Sequence, residues 1–531
     1  MSAAGGGSPP GTVLSSIDQT QQLEGWWIQM DRQEVDMSSA TAAAANLKRV
    51  VPKQADRLNF LLITADDMDG SMPGFMGNPV NITPTLDALA QGSHRFVATR
   101  TAAPICQPSR EAMMTGMVPH RSGGIGFTAI DSEIPTFTTI LQDHGYFTAG
   151  INKIQHMQPP GRFTWDWERG GRDGDPLTWD DRNPVLIADR VDEAMNAARA
   201  QNKPFFISCN ITDPHRPFYG SSEANAQDDN QTGPYNIPHE IRPEEVVIPP
   251  HLEDLPDIRT ELAQYCNSVQ RLDIAVGNVL SKLNDSPERD NTIVLFVSDH
   301  GMPFPFAKST CYSSGTLTPA LLKWPGMDAP RSFDALTSNI DILPTVLDLL
   351  GIDTPDNIDG KSWVPMINGQ VTSVRDYNLT YMNTEYNGTN YAMRGIQDHR
   401  YLMIFTPWSD GSFMMKYTDA VTGLTYKALV AAAASDPALA KRVKQYTHGV
   451  PLALYDLEED PGQRINIIDR PDMHDRSLEM KRTLLEHMRQ TSDPQLKNFE
   501  IIIGGGQPTV QQNPRRYQHY GIVEVPVGPV D

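Results

Sequence analysis

The 531-residue sequence predicts an α/β fold, a large mostly parallel sheet flanked by helices, followed by a smaller C-terminal α+β domain. Three observations predict it. Four largely apolar runs of strand length, 59–64, 146–151, 205–211 and Thr292–Ser298, show the pattern of strands buried on both faces of a parallel sheet. Helical periodicity lies between them. From about residue 376 the pattern changes to short strands.

Residues 1–56 are rich in Gly, Ser, Ala and Gln and read as a loosely attached extension. The first domain spans 57–375. Within it, 261–283 places Leu262, Tyr265, Val269, Leu272, Val276, Val279 and Leu283 at three- and four-residue spacing, the stripe of an amphipathic helix. A second helix, 339–350, is closed by Gly351. Between them, 219–257 is Pro-rich and irregular, a loop long enough to be functional. The second domain, 376–531, opens with short strands at Tyr401–Phe405 and 454–457 and continues in a helix near His474–Gln490. Its last stretch, after Phe499, carries Gly504–Gly506 and is expected to wrap the surface. No internal repeat is present.

Composition bounds the function. Hydrophobic residues make up 39%, enough to build a large core, which excludes a disordered chain. Lys plus Arg number 44 against 65 Asp plus Glu, a net charge of −21. So acidic a chain is excluded as a general binder of nucleic acid or anionic membrane. No apolar run reaches the roughly 18 residues of a membrane span. No basic start followed by an apolar stretch marks a signal peptide, so the expected compartment is cytoplasmic. The four cysteines, Cys106, Cys209, Cys266 and Cys311, form no C-x-x-C pair and no disulfide framework. N-x-S/T sequons, among them those beginning at Asn81, Asn210, Asn230, Asn378 and Asn387, occur at about the number expected by chance.

In open α/β sheets, ligands bind beyond the carboxyl ends of the strands. Asp66 and Asp67 follow the first run, Lys153 and His156 the second, Asp213 and His215 the third, and Asp299, His300 and then Lys308 the fourth. Each alone is an ordinary turn or cap. Together Asp66, Asp67, Asp299 and His300 offer three carboxylates and one imidazole, a donor set for a hard divalent cation, with the nitrogen suiting manganese or zinc as well as calcium. In the segment 104–116, Pro108 lies near the first turn of a helix. Cys106 therefore sits at a helix N-terminus, where backbone N–H groups favour anions.

Cys106-Gln-Pro108-Ser109-Arg110, followed by Thr115-Gly116, resembles the signature of the type I, formylglycine-dependent sulfatases. The resemblance runs from about residue 58 to 468. It includes Asp66-Asp67, Asp299-His300-Gly301, Thr318-Pro319, Trp324-Pro325-Gly326, Asp341-Ile-Leu-Pro344-Thr345 and Leu454-Tyr-Asp-Leu457. It implies the alkaline-phosphatase-like fold. It also implies that Cys106 is oxidised to formylglycine, whose hydrate is the nucleophile. A sulfated gem-diol expels sulfate by re-forming the aldehyde, so the second step needs no attack on sulfur.

By the same resemblance, Asp66, Asp67, Asp299 and His300 are metal ligands, with the residue at Cys106 completing the set. Arg110 holds the hydrate, and Lys153 and Lys308 bind sulfate oxygens. His156 aids proton removal, His215 is the general acid, and Arg216 joins the substrate-binding set. Two departures stand out. The spacing Lys153-x-x-His156 is one residue longer than the common Lys-x-His and requires a turn. His300 stands where many calcium sulfatases have Asn. Asp213-Pro-His-Arg-Pro-Phe218 and the 299–308 segment resemble the heparan N-sulfatase (sulfoglucosamine sulfohydrolase) group.

The function expected is hydrolysis of a sulfate ester or sulfamate on a carbohydrate, with one divalent cation, calcium ahead of manganese. The partners expected are a sulfated small molecule or glycan end and a formylglycine-generating maturation enzyme, with no nucleic acid and no membrane; a homo-oligomer is left open. The family is often periplasmic, secreted or lysosomal, so the alternative to a cytoplasmic compartment is a signal segment outside the given sequence. Two alternatives remain at this point: a phosphonate monoester or phosphodiester hydrolase of the same superfamily, and a non-catalytic glycan-binding relative in which Cys106 stays a thiol.

Overall fold

The computed structural model describes residues 57–508, apart from 81, 171–181, 223–235, 386–387, 389 and 410–417. The extension 1–56, the tail beyond 508 and part of the Pro-rich loop 219–257 lie outside the described residues. So do the sequons at Asn81, Asn230 and Asn387.

The strands of the first part are β1 (Asn59–Asp66), β2 (His94–Phe96), β3 (Thr99–Arg100), β4 (Phe147–Ile151), β5 (Trp167–Arg169), β6 (Phe205–Pro214), β7 (Thr292–Ser298), β8 (Ala320–Lys323), β9 (Ser332–Phe333) and β10 (Thr337–Ser338). Eight of them form one sheet in the order β5-β4-β6-β1-β7-β8-β2-β9, and β3 pairs with β10. β4, β6, β1 and β7, the four apolar runs, lie side by side and all run parallel. β8 runs antiparallel to both its neighbours, which makes the sheet mixed.

Both faces are covered, which is why these strands are largely apolar. From β1, Leu61, Ile63 and Ala65 point into one core with Ile187, Val191, Leu262 and Leu272. These partners come from the helices Pro184–Ala200 and Pro256–Asn284. Phe60 and Leu62 point into a second core with Met113, Met114, Phe137, Leu343 and Leu347. The helix expected at 339–350 begins as a 3-10 turn and runs as Ile342–Leu350. Gly351 caps it at φ 70°, a left-handed turn that glycine takes without penalty.

A second sheet joins β11 (Asn378–Thr384), β12 (Asn390–Gln397), β13 (Tyr401–Phe405) and β14 (Leu452–Asp456), antiparallel throughout. One face packs Ile396, Met403 and Leu454 on Met480, Leu484 and Met488 of the helix His474–Gln490. The other packs Met393, Leu402 and Ile404 with Ile105 and Phe306. Tyr381 N donates to Ala102 O at 2.8 Å, so this sheet buttresses the chain just before Cys106. No helix among the described residues is long and apolar enough to cross a membrane.

Candidate active site

The parallel strands deliver their polar ends to one rim. At the end of β1 the register with β6 shifts between Ala65 and Asp66, an irregularity that re-aims the strand tip. Asp67 follows at φ 71°, a conformation that costs a non-glycine residue about 1–2 kcal/mol. It is held by Asp67 N donating to Asp299 Oδ1 at 3.1 Å and by Met68 N donating to Ser298 Oγ at 3.0 Å. Asn152 and Lys153 at the end of β4, and Phe306 and Ser309 around Lys308, also have positive φ. Such positions persist only where their surroundings hold them, and here they bracket the predicted site residues.

Cys106 opens the helix Cys106–Thr115, whose residues are all buried. Gly116 closes it at φ 68° with its N–H on Ala112 O, which explains the glycine after Thr115. Gly301 is required by contact: a Cβ there would meet Ser314 O at 1.8 Å. Cys106 Sγ lies 3.5 Å from Asp66 Oδ1 and 3.3 Å from His300 Nε2. Its single S–H has two acceptors in reach. Burial, and then Asp66, pushes the thiol well above its ordinary range. The helix N-terminus expected to favour a thiolate is outweighed by burial and by the carboxylates around it.

The cations are spoken for by the same carboxylates. Lys153 Nζ is 2.7 Å from Asp66 Oδ2. Lys308 Nζ is 2.7 Å from Asp67 Oδ1 and 2.9 Å from Oδ2. Arg110 donates to Asp299 Oδ2 at 3.0 Å, Thr64 Oγ1 at 3.0 Å and Asn210 Oδ1 at 2.7 Å. Burial raises the Asp66 carboxyl, but Lys153, then His215, Arg110 and Lys308, outweigh it and hold Asp66 well below the usual range. Asp299 is pushed up, by burial and then by the Asp66 charge. Two buried carboxylates are thus in competition for positive charge.

Asp66, Asp67, Cys106 and His215 place donor atoms within 4.8 Å of one another, and so do Asp66, Cys106, Asp299 and His300. His300 Nδ1 donates to Gly301 O at 3.0 Å, and burial keeps the imidazole neutral. Nε2 therefore carries the lone pair. It turns that lone pair toward Asp67 Oδ1 at 3.4 Å and Asp299 Oδ2 at 3.7 Å. A divalent cation relieves both conflicts, and three carboxylates with one imidazole are a fitting donor set.

The histidines sit at the edge of this group. A 3-10 turn, Ile154–His156, follows the left-handed Lys153 and supplies the turn that the longer Lys-to-His spacing requires. Burial, and then Lys153, holds His156 well below its ordinary value. His215 Nε2 lies 3.9 Å from Asp67 Oδ2. The side chains of His215 and Lys153 are 24% and 10% exposed, whereas Asp66, Asp67, Asp299, His300 and Lys308 are fully buried and Cys106 is 3% exposed. Arg216 stands apart from the expected substrate set. Its guanidinium pairs with Glu261 at 2.8 Å and stacks over Phe218 at 4.3 Å, and Glu261 in turn accepts from Leu424 N and Thr425 N. The group is committed to joining the helices Pro256–Asn284 and Leu424–Ala433.

Two further buried groups, which no motif in the sequence assigns to the site, contact this constellation. Asn210 binds Arg110 and Thr64 through Oδ1 and donates to Ile151 O at 3.0 Å and Asn152 O at 3.1 Å. Arg182 donates to Asp213 Oδ1 at 2.8 Å and His215 O at 3.0 Å. A signal for the first existed: Ser208, Asn210 and Thr212 alternate within an otherwise apolar run. Asn210 and Asn378 are 2% and 1% exposed, which removes both sequons as glycan sites in the folded chain.

Comparison with known proteins identifies the family. The sulfatase family model matches residues 58–352, and the model of the N-sulphoglucosamine sulphohydrolase C-terminal region matches 299–415. Human N-sulphoglucosamine sulphohydrolase is 27% identical over 475 residues, covering 82% of this chain and 91% of the relative. Among solved structures, a 2-O GAG sulfatase superposes with a TM-score of 0.62 at 19% identity over 87% of this chain and 96% of its own. The phosphonate monoester hydrolase of Agrobacterium radiobacter also superposes with 0.62, at 17% identity over 82% and 96%. These two likenesses show the alkaline-phosphatase-like fold alone. With more than half of its length inside the family model, the chain belongs to the sulfatase family.

Proposed function

We infer that this hydrolase cleaves a sulfate ester or sulfamate from the terminal unit of a carbohydrate, with Cys106 matured to formylglycine. One divalent cation, calcium ahead of manganese, would be held by Asp66, Asp67, Asp299 and His300. The observation that carries the reading is the gathering of three carboxylates, one imidazole and three cationic side chains around Cys106. When present, the cation polarises sulfate and the hydrate supplies the attacking oxygen.

The chain's own residues account for the rest. Lys153 and Lys308 are the donors to sulfate oxygens once Asp66 and Asp67 have a cation to bind. Arg110, held by Asp299, Thr64 and Asn210, keeps a fixed positive charge beside residue 106. His156, neutral and with Nδ1 lacking a partner among the described residues, is placed to take a proton. His215 Nδ1 lies 2.6 Å from Arg216 O. A carbonyl only accepts, so Nδ1 carries hydrogen and Nε2 is the atom presented to the site, where the imidazolium delivers a proton to the leaving oxygen or nitrogen.

The likeness to human N-sulphoglucosamine sulphohydrolase supports an N-sulfated glucosamine end. Terminal action is supported by burial: of these polar side chains, Lys153, His156 and His215 are partly exposed and the others are buried, and the net charge of −21 opposes a long polyanion. The His300 nitrogen favours one competitor, a manganese-dependent phosphonate or phosphodiester hydrolase. The test is parallel turnover of an aryl sulfate and an aryl phosphodiester by protein co-produced with a formylglycine-generating enzyme, with elemental analysis of the same sample. Faster phosphodiester turnover would overturn the sulfate assignment, and one equivalent of manganese would overturn the order of metals.

A further inference from the structure

We propose that Arg182 is the positioning residue for His215, setting the direction in which Nε2 delivers its proton. The proposal rests on the reading of His215 as general acid. Arg182 immediately precedes Asn183, the N-cap of the helix Pro184–Ala200, whose side chain accepts from Val185 N and Leu186 N. That helix packs against the core through Ile187, Val191 and Met195, so Arg182 leaves a rigid helix start rather than the middle of a loop.

From there the guanidinium reaches three oxygens of the 213–216 segment. Nη1 donates to Asp213 Oδ1 at 2.8 Å and to His215 O at 3.0 Å, and Nη2 donates to Arg216 O at 2.9 Å. Arg216 O is the same carbonyl that holds His215 Nδ1, at 2.6 Å. Its two lone pairs serve the two donors. The imidazole is therefore fixed to a carbonyl that is itself fixed by Arg182. Asp213 is clamped a second time by Arg271, Nε to Oδ2 at 2.6 Å and Nη2 to Oδ1 at 2.8 Å, from the helix Pro256–Asn284. The side chains of Arg182, Asp213 and Arg271 are 7%, 1% and 1% exposed, a placement in which a planar five-donor fork meets acceptors in fixed geometry.

Such an arrangement has a consequence that simple structural support lacks. Proton delivery matters most when the departing group is a poor one, and a misdirected acid loses much of an effect worth roughly 100- to 10,000-fold. An activated aryl sulfate leaves without help. Loss of Arg182 should therefore act selectively on poor leaving groups, and only while His215 is present.

The experiment compares kcat/KM of the matured full-length enzyme on a nitrophenyl sulfate and on a sugar sulfate for wild type, R182M, H215A and the double variant. The expected result is that R182M loses about tenfold or more on the sugar sulfate beyond its loss on the aryl sulfate, and that R182M adds no leaving-group selectivity in the H215A background. Equal losses on both substrates for R182M, with H215A still selective, would overturn the role of Arg182 and leave His215 as the acid. Equal losses for H215A itself would overturn both. If R182M does not fold, R182K decides: a lysine keeps the charge but not the three-way fork, so it should show the same selectivity in milder form, and unchanged leaving-group dependence would refute the proposal.

Discussion

Replacing Asn210 by alanine tests how the cationic side of the site is held. The amide oxygen accepts from the Arg110 guanidinium at 2.7 Å, and the amide nitrogen donates to Ile151 O and Asn152 O. The first is a hydrogen bond to a charged group, worth about 1.5–3 kcal/mol, and each orphaned buried acceptor costs about 1–3 kcal/mol. The full sum is an upper bound, because water entering the vacated space restores part of it. A loss of about 2–4 kcal/mol in stability is expected. Asn152 and Lys153, both at positive φ, lose the carbonyl anchor beneath them, and Arg110 loses one of its three partners. Lys153 and Arg110 then sample other positions, and kcat/KM should fall about 10- to 100-fold, equivalent to about 1.4–2.7 kcal/mol. The assay pairs urea unfolding followed by tryptophan fluorescence with turnover of an aryl sulfate. A variant with a wild-type unfolding midpoint and kcat/KM within twofold of wild type would refute the reasoning.

Three more outcomes follow from the buried charges. Arg216→Ala should cost about 3–5 kcal/mol by stranding Glu261 while leaving KM close to that of wild type; a large rise in KM with stability intact would return Arg216 to the substrate set. Burial holds His94 and His120 at about 4 and His251 at about 3, below the unfolded value of about 6.5. The unfolded chain therefore binds more protons, and stability should fall as pH drops from about 6.5 toward 4, by up to about 1.4 kcal/mol per pH unit for each group; His251→Gln should lower the measured proton uptake by one, and an unchanged uptake would contradict this. Burial raises Glu111 to about 9, so its contribution to stability is full below pH about 4.5, erodes as pH rises and is gone above about 9. Glu111→Gln should remove that slope, and a variant with the same pH dependence of unfolding as wild type would show that the carboxyl is not protonated in the fold.

The central strands were legible because burial on both faces leaves a continuous apolar run. β1, β4, β6 and β7 were each visible, and they lie next to one another. β2 and β9 are three and two residues long, too short to carry a pattern. The helix Pro184–Ala200 has a ready start signal in Asn183-Pro184, but its alanines dilute the apolar stripe. β11 and β12 escaped because their polar residues are buried: Asn378, Thr380, Asn383, Arg394 and Gln397 are all under 9% exposed. At the site, residues that sit at strand ends were found, since position along the chain announces them. Asn210 and Arg182 were not, because their importance lies in which backbone carbonyls they meet, and those contacts join segments 58 and 33 residues apart. Arg216 shows the converse: adjacency to His215 suggested a shared task, yet the next side chain along points to a different partner.

The measurement that bears most directly on the central claim is peptide mass spectrometry across Cys106 in active full-length protein made with and without a formylglycine-generating enzyme. The account predicts that specific activity rises in proportion to the fraction of residue 106 carrying an aldehyde in place of the thiol, and that Cys106→Ala is inactive under both conditions. Full activity in protein whose Cys106 is entirely a thiol would contradict it.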